Sequence, residues 1–205
     1  MNFQDLLDQL GRRAKRDAEE IANRYLAGGY ESLDEAAEAL ALVVRSHNIQ
    51  GSVLGEASCR EILTSLGDST FHKITPGILD HWEDHARLSA AARTALSVED
   101  SAVMASGRLA LGEVIAVSQK AYAGILEQSS AVEGFKRGLE KDACQLCRWW
   151  WREGRVWPKW YTMPTHVGCT CTQVPVMVEQ KSIGRLDDRT VAASDKRRQR
   201  KENMA

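Results

Sequence analysis

The chain has 205 residues, of which 43% are hydrophobic and 27% charged, as in a globular protein with one ordinary domain and a small appendage. Its formal net charge of −1 excludes a general attraction of the whole chain to nucleic acid. No stretch approaches the roughly 18 consecutive apolar residues of a membrane span, and the first residues lack the apolar core of a signal peptide. We therefore expect a protein without a membrane partner, which stays in the reducing cytoplasm where it is made.

The first part of the chain has the pattern of amphipathic helices. Apolar residues recur there at steps of three and four positions and predict a first helix: Phe3, Leu6, Leu7, Leu10, Ala14, Ala18, Ile21 and Tyr25. Gly28-Gly29 supplies a stop signal after this helix. Ser32 and Glu35 have the spacing of a capping box, and the helix that they begin is predicted to run through residues 33–44.

Further helices are predicted along the chain. A short third helix is expected from Glu56 to Leu66, followed by a glycine that ends it. A fourth helix is expected to begin near Pro76, because proline is favoured in the first helical turn. Ser97 and Asp100 are interpreted as the cap of a long alanine-rich helix that ends at about Gln128.

The pattern changes after Ser130, where short β-prone segments replace the helical periodicity. Strands are predicted for residues 135–139, 155–157 and 170–178. The predicted fold is therefore α+β, and we divide it into a mostly α-helical domain (1–133), a small β module (134–178) and a tail (179–205). The tail is polar and without periodicity, so we expect it to be flexible and disordered when the protein is alone.

A basic run distinguishes the tail from the rest of this nearly neutral chain. Most runs of this kind are solvated segments without a specific role. The functional interpretation is a weak, nonspecific and salt-dependent contact with DNA phosphates. Five residues within six positions would make this contact: Lys196, Arg197, Arg198, Arg200 and Lys201.

Four of the five cysteines crowd into one short segment together with a histidine. In a cytosolic chain such crowding indicates metal binding before disulfides. Tetrahedral Zn²⁺ takes four such soft ligands, so five candidates compete for four places. We favour Cys144, Cys147, His166 and Cys169 with Cys171 as the spare, and a four-cysteine site is the competing arrangement. Disulfide pairing or free thiols are the alternatives to zinc.

The predicted β module needs such an ion for physical reasons. At about 45 residues it is too short to bury a sufficient core by itself. One structural zinc per chain supplies apparent binding free energy on the order of 10–16 kcal/mol to modules of this size. We therefore expect a zinc-bound β module whose ligands hold the fold together and catalyse nothing, while the remaining Cys59 is expected to be a small buried hydrophobe.

Five of the six tryptophans lie in the same segment: Trp149, Trp150, Trp151, Trp157 and Trp160. One interpretation is a small core that covers the metal. Three consecutive tryptophans cannot all face inward from one helix or strand, however, so at least one is expected to be exposed. An exposed tryptophan is an anchor for a protein partner or a platform for base stacking, and we favour the protein partner.

The segment resembles the C-terminal signature of the phage Mu F-like minor head (head morphogenesis) protein family. The resemblance rests on Cys144-x-x-Cys147, the glycine turn at residues 153–156 and His166-x-x-Cys169-x-Cys171, followed by Thr-Gln-Val-Pro-Val. It covers about residues 134–178. Members of the family often have proline directly after the histidine, where this chain has Val167.

The resemblance implies a structural, non-enzymatic component of a phage virion, made in the bacterial host cytoplasm. Such a protein acts at the portal or in the head interior, with portal, capsid or scaffold proteins as partners. It takes part in head assembly and accompanies or stabilises the packaged DNA.

Two other functions compete with this expectation. A zinc-ribbon nucleic-acid-binding regulator would use the same metal ligands. A metal-dependent nuclease built on zinc knuckles would need a catalytic histidine beside the module, and the only histidine after Cys144 is His166, which the zinc would occupy.

Overall fold

The computed structural model describes residues 2–68 and 81–178, except for the side chains of residues 81–83 and 99. The described residues are mostly helical with one small three-stranded sheet, which confirms the α+β class. Pro76 and the five basic residues predicted to touch DNA lie outside the described residues. The elements are α1 (Phe3–Leu26), α2 (Leu33–Ser65), α3 (His81–Leu96), α4 (Ala102–Gln128), β1 (Val132–Gly138), α5 (Gln145–Trp151), β2 (Trp157–Pro158) and β3 (Thr172–Met177).

The first helix forms as the sequence predicts, with a capping box that we did not foresee. The backbone N–H of Asp5 donates to Asn2 Oδ1 at 2.9 Å, and the Asn2 N–H donates to Asp5 Oδ2 at 3.2 Å. These bonds satisfy N–H groups that a helix start leaves without partners. The helix ends before Gly28, whose φ of +75° is a conformation that glycine adopts without strain.

The second helix starts at the predicted cap but is far longer than predicted. The Glu35 N–H donates to Ser32 Oγ at 3.1 Å, while the Glu35 carboxylate accepts from the Glu31 N–H rather than from Ser32. The predicted break before a separate helix at Glu56 is wrong, since α2 continues to Ser65. Gly51, within the predicted break, lies against α4, and its carbonyl accepts from Ser118 Oγ at 2.8 Å.

The fourth helix is the centre of the helical part. Its predicted cap is wrong: Ser97 Oγ donates back to the Arg93 carbonyl, and a 3₁₀ turn (Glu99–Ser101) precedes α4. The predicted end at Gln128 is confirmed. Among the described residues, α4 is a helix long and apolar enough to cross a membrane, but the core helix of a soluble protein can have the same length and composition. It packs against α1, α2 and α3, with Val114 and Ile115 buried.

The small sheet has β1 in the middle, with β2 and β3 antiparallel on either side. Phe135 pairs with Trp157 on β2 and with Pro175 on β3. Val132 and Phe135 belong to the same buried core as the helices. The sheet is therefore built on the helical core, and the boundary predicted between residues 133 and 134 falls inside β1.

Cys59 lies on α2 inside the helical core, away from the other cysteines. Its side chain is fully buried, and burial raises the pKa of the thiol to about 12. The prediction of a small buried hydrophobe is confirmed.

Candidate metal centre

The first cysteine pair is held by the start of α5. Cys144 is the residue that caps this helix, and its Sγ accepts a hydrogen bond from the Cys147 N–H at 3.5 Å. Because Cys147 lies in the first turn of α5, the two thiols point to the same side of the chain. Cys144 is exposed and Cys147 is fully buried.

The second cluster lies in the loop before β3. The Cys169 N–H donates to the His166 carbonyl at 3.0 Å, and Gly168 has a φ of +81°, so the chain turns tightly there. Gln119 of α4 donates to the carbonyls of Cys169 and Cys171, both at 2.9 Å. The loop is thus fixed to the central helix by a side chain that the sequence analysis missed.

The two clusters converge on His166. Its Nε2 is 3.1 Å from Cys144 Sγ and 3.1 Å from Cys147 Sγ, and Cys147 Sγ is 3.5 Å from Cys169 Sγ. Bonds of 2.0–2.3 Å in a tetrahedron place ligand atoms about 3.3–3.8 Å apart. These three pairs are therefore close to the spacing that an ion needs, and the cluster could hold a metal ion.

The donors form two groups that share Cys147. Cys144, Cys147 and His166 form one group, and Cys147, Cys169 and Cys171 form the other together with Glu140; within each group the donor atoms lie within 4.8 Å of one another. All five predicted ligands are thus brought together. Cys171, which we expected to be the spare, is buried beside Cys169 rather than turned away.

Two charged side chains join the cluster without having been predicted. Arg137 of β1 is only 3% exposed and donates from Nη2 to the sulfurs of Cys147 and Cys169. The Glu140 carboxylate accepts from the Thr170 N–H at 3.0 Å, which ties it to the cysteine loop. The sequence could have indicated that Arg137 is buried, because side chains alternate along a strand and residue 137 lies on the same face as the apolar Phe135. For Glu140 and Gln119 we find no sequence signal.

The four thiols of the cluster differ in acidity. The Cys147 N–H lowers the pKa of Cys144, whereas burial raises the pKa of Cys147 to about 11. A hydrogen bond from the Cys169 thiol lowers the pKa of Cys171 to about 5, and the same contact raises the pKa of Cys169. The contact between these two sulfurs therefore makes Cys171 the more acidic of the pair.

Alkylation of the metal-free chain with iodoacetamide is expected to modify Cys144 before the three buried thiols of the cluster. Cys144 is exposed and its pKa is lowered. Its reactive thiolate therefore persists at a lower pH than the thiolate of an ordinary cysteine, whose pKa is about 8.5. Peptide mass spectrometry against pH measures this, and saturation with Zn²⁺ should suppress the reaction. Cys59 is the internal control that stays unmodified until the chain unfolds. Equal rates at Cys144 and Cys147 would contradict the geometry described above.

The five tryptophans predicted to bind a partner divide into two sets. Trp149, Trp151 and Trp160 are exposed, the first by 60% and the last by 70%. Trp150 packs against the cysteine cluster, and Trp157 stacks on Tyr161 with ring centroids 4.5 Å apart. The expectation that at least one of the three consecutive rings is exposed is confirmed.

Exposed tryptophans border two surface cavities. A groove of about 740 Å³ lies between α4 and the segment 159–165, with Trp160 among its lining residues. A more open cleft of about 830 Å³ lies along α5, lined by Trp149, Trp151 and charged side chains of both signs. Aromatic and charged groups therefore meet on the surface along α5.

The fold and the cluster define an α+β protein with a Cys/His site that could hold a metal ion. No protein-family model, curated protein or solved structure matches the chain. Its function is therefore inferred from its own residues.

Proposed function

We propose that the chain is a structural, non-enzymatic minor head protein of a tailed phage. It acts at the portal or in the capsid interior during head assembly, and the tail contacts packaged DNA. One zinc ion holds residues 134–178 in place. The sequence signature of the Mu F-like family motivates this role.

The observation that carries the proposal is the convergence of the two halves of that signature on one site. The Cys144/Cys147 pair and the His166/Cys169 pair come from different segments, yet His166 Nε2 is 3.1 Å from both sulfurs of the first pair and Cys147 Sγ is 3.5 Å from Cys169 Sγ. Thiolates with an imidazole favour Zn²⁺ among abundant divalent ions. Cys147, Cys169 and Cys171 are fully buried, which supports a closed structural site rather than an open catalytic one.

The exposed tryptophans support a protein partner such as a portal, capsid or scaffold subunit. Large aromatic side chains and arginines dominate the binding energy of protein interfaces. Trp160 is exposed at a groove, and the Arg152 guanidinium lies 4.6 Å from the Trp149 ring centroid. Such paired groups are already partly ordered, which lowers the entropic cost of docking.

Quantitative mass spectrometry of purified particles from the phage or prophage that encodes the chain tests this role. We expect a few copies of the protein beside an abundant coat protein and a ring-sized number of portal subunits. Absence from both mature particles and precursor heads would contradict the proposal.

A zinc-ribbon nucleic-acid-binding regulator is the second candidate, and one surface favours it. The cleft along α5 is lined by Trp149 and Trp151 and by three basic side chains that outnumber its two acidic ones: Lys141, Arg148 and Arg152 against Glu140 and Glu153. Bases stack on exposed aromatic rings while cationic side chains contact phosphates. A gel-shift series against salt discriminates the two: a head protein loses its weak binding when residues 196–201 are deleted, whereas site-specific binding that survives the deletion indicates a regulator.

A further inference from the structure

The buried guanidinium of Arg137 needs a negative partner. Arginine remains protonated in proteins, and removing its charge from water is costly unless an opposite charge compensates it. Its Nη1 donates to the Pro164 carbonyl at 2.7 Å, and its Cζ lies 5.3 Å from the Trp150 ring centroid. No ion pair between described residues joins it to a carboxylate.

The sulfurs are the groups that can supply this negative charge once an ion has displaced their protons. Nη2 is 3.4 Å from Cys147 Sγ and 3.5 Å from Cys169 Sγ, which are distances for charge-assisted hydrogen bonds to thiolates. Both sulfurs are fully buried, so water does not screen the interaction.

The charge of the loaded site depends on the number of thiolates around the ion. A divalent ion with two thiolates and two imidazoles is neutral, with three thiolates and one imidazole it carries −1, and with four thiolates −2. One guanidinium neutralises the ion with its ligands in the second of these sets; the neighbouring Glu140 carboxylate, which accepts from the Thr170 N–H, is not counted among the ligands. His166 lies 3.1 Å from two of the sulfurs, which favours the set that contains one imidazole.

We propose that Arg137 is the charge partner of the metal centre, and that its guanidinium compensates the single negative charge of a divalent ion held by Cys144, Cys147, Cys169 and His166. The inference rests on the proposed metal site and adds a positioning residue to it. Arg137 aligns the sulfurs of Cys147 and Cys169 and makes retention of the ion depend on a positive charge at this position of β1.

The affinity of the full-length chain for Co²⁺ and Zn²⁺, measured by competition with a chelator, tests this role. R137M removes the charge and keeps a long side chain, and we expect it to weaken binding at least about tenfold, as is usual for residues that support metal ligands. R137K restores the charge, although not the forked geometry of the guanidinium, and should bind the ions more tightly than R137M. K136M is the matched control, because it removes one positive charge from the neighbouring, exposed position of the same strand.

Measuring R137M in a second variant, C144H, separates the effect of the lost charge from the effect of changed packing. Cys144 is exposed and lies outside the hydrogen bonds of Arg137, so C144H makes the site neutral without touching the guanidinium. The loss caused by R137M should then shrink severalfold, and the Co²⁺ spectrum should show fewer thiolate charge-transfer bands. If R137M alone folds poorly, R137Q, which also removes the charge, takes its place in both backgrounds.

Three outcomes overturn the inference. They are an R137M affinity equal to that of K136M, an R137K affinity as weak as that of R137M, and an equal loss from R137M in the two backgrounds. If the wild-type chain binds Zn²⁺ and any of these outcomes is observed, the role of Arg137 is rejected and the metal site is kept. A wild-type chain that binds neither ion rejects the proposed metal site together with it.

Discussion

Cys147→Ser is expected to abolish metal binding and to unfold the sheet while the four long helices remain. The Cys147 sulfur contacts His166, Cys169 and Arg137, so its loss removes a ligand and leaves the guanidinium without one of its partners. A structural zinc contributes apparent binding free energy on the order of 10–16 kcal/mol, and a large part of it is lost with one ligand. Metal analysis and hydrogen exchange of the amides in β1 and β3 measure the two effects.

Cys59→Ala is the control for this prediction. Cys59 is as buried as Cys147 but lies in the helical core, away from the cluster. We expect it to lower the free energy of unfolding by about 1 kcal/mol and to keep one metal per chain. A Cys147→Ser chain that retains stoichiometric metal, or a metal-free wild type with a fully protected sheet, would reject a structural ion.

Gly55→Ala is expected to lower the free energy of unfolding by about 3 kcal/mol, the upper end of the range for overpacking. An added Cβ would clash with the backbone carbonyl of Ser118 and lie 3.1 Å from the Tyr122 nitrogen, both on α4. A backbone atom cannot rotate away, so α2 and α4 would have to move apart. Urea denaturation measures the change.

Gly124→Ala is the matched comparison, because it also replaces a helical glycine. At this position an added Cβ meets no atom within 4 Å. Alanine should therefore stabilise the chain by about 0.5–1 kcal/mol through its better helix propensity. Effects of the same sign in both variants would contradict the close approach of α2 and α4.

Local patterns predicted the elements that local interactions determine. The start of α2 at Ser32 and the end of α4 at Gln128 follow from a cap and from periodicity, and both are confirmed. The break predicted within α2 is wrong because tertiary packing decides that region. Gly51 and Gly55 lower helix propensity locally, yet there they allow two helices to approach each other, which no window of sequence reveals.

The candidate site was predictable only in part for the same reason. Spacing identified the five metal-ligand candidates, because donors two or three residues apart can meet in one turn. Arg137, Glu140 and Gln119 come from other elements and reach the cluster through the tertiary fold. Their roles depend on distances across the fold, which composition and periodicity do not contain.

The core that the sheet shares with the helices has a consequence for any attempt to transfer the C-terminal segment to another protein. A peptide of residues 134–178 resembles an independent zinc finger in sequence. Without the helices, however, the apolar surface of Phe135 that packs in the shared core would be exposed to water. It would also lose the Gln119 amide that holds the carbonyls of Cys169 and Cys171. An ion bound at this site would join parts of one molecule, so the segment belongs to its own helices and cannot be exchanged between proteins as an independent unit.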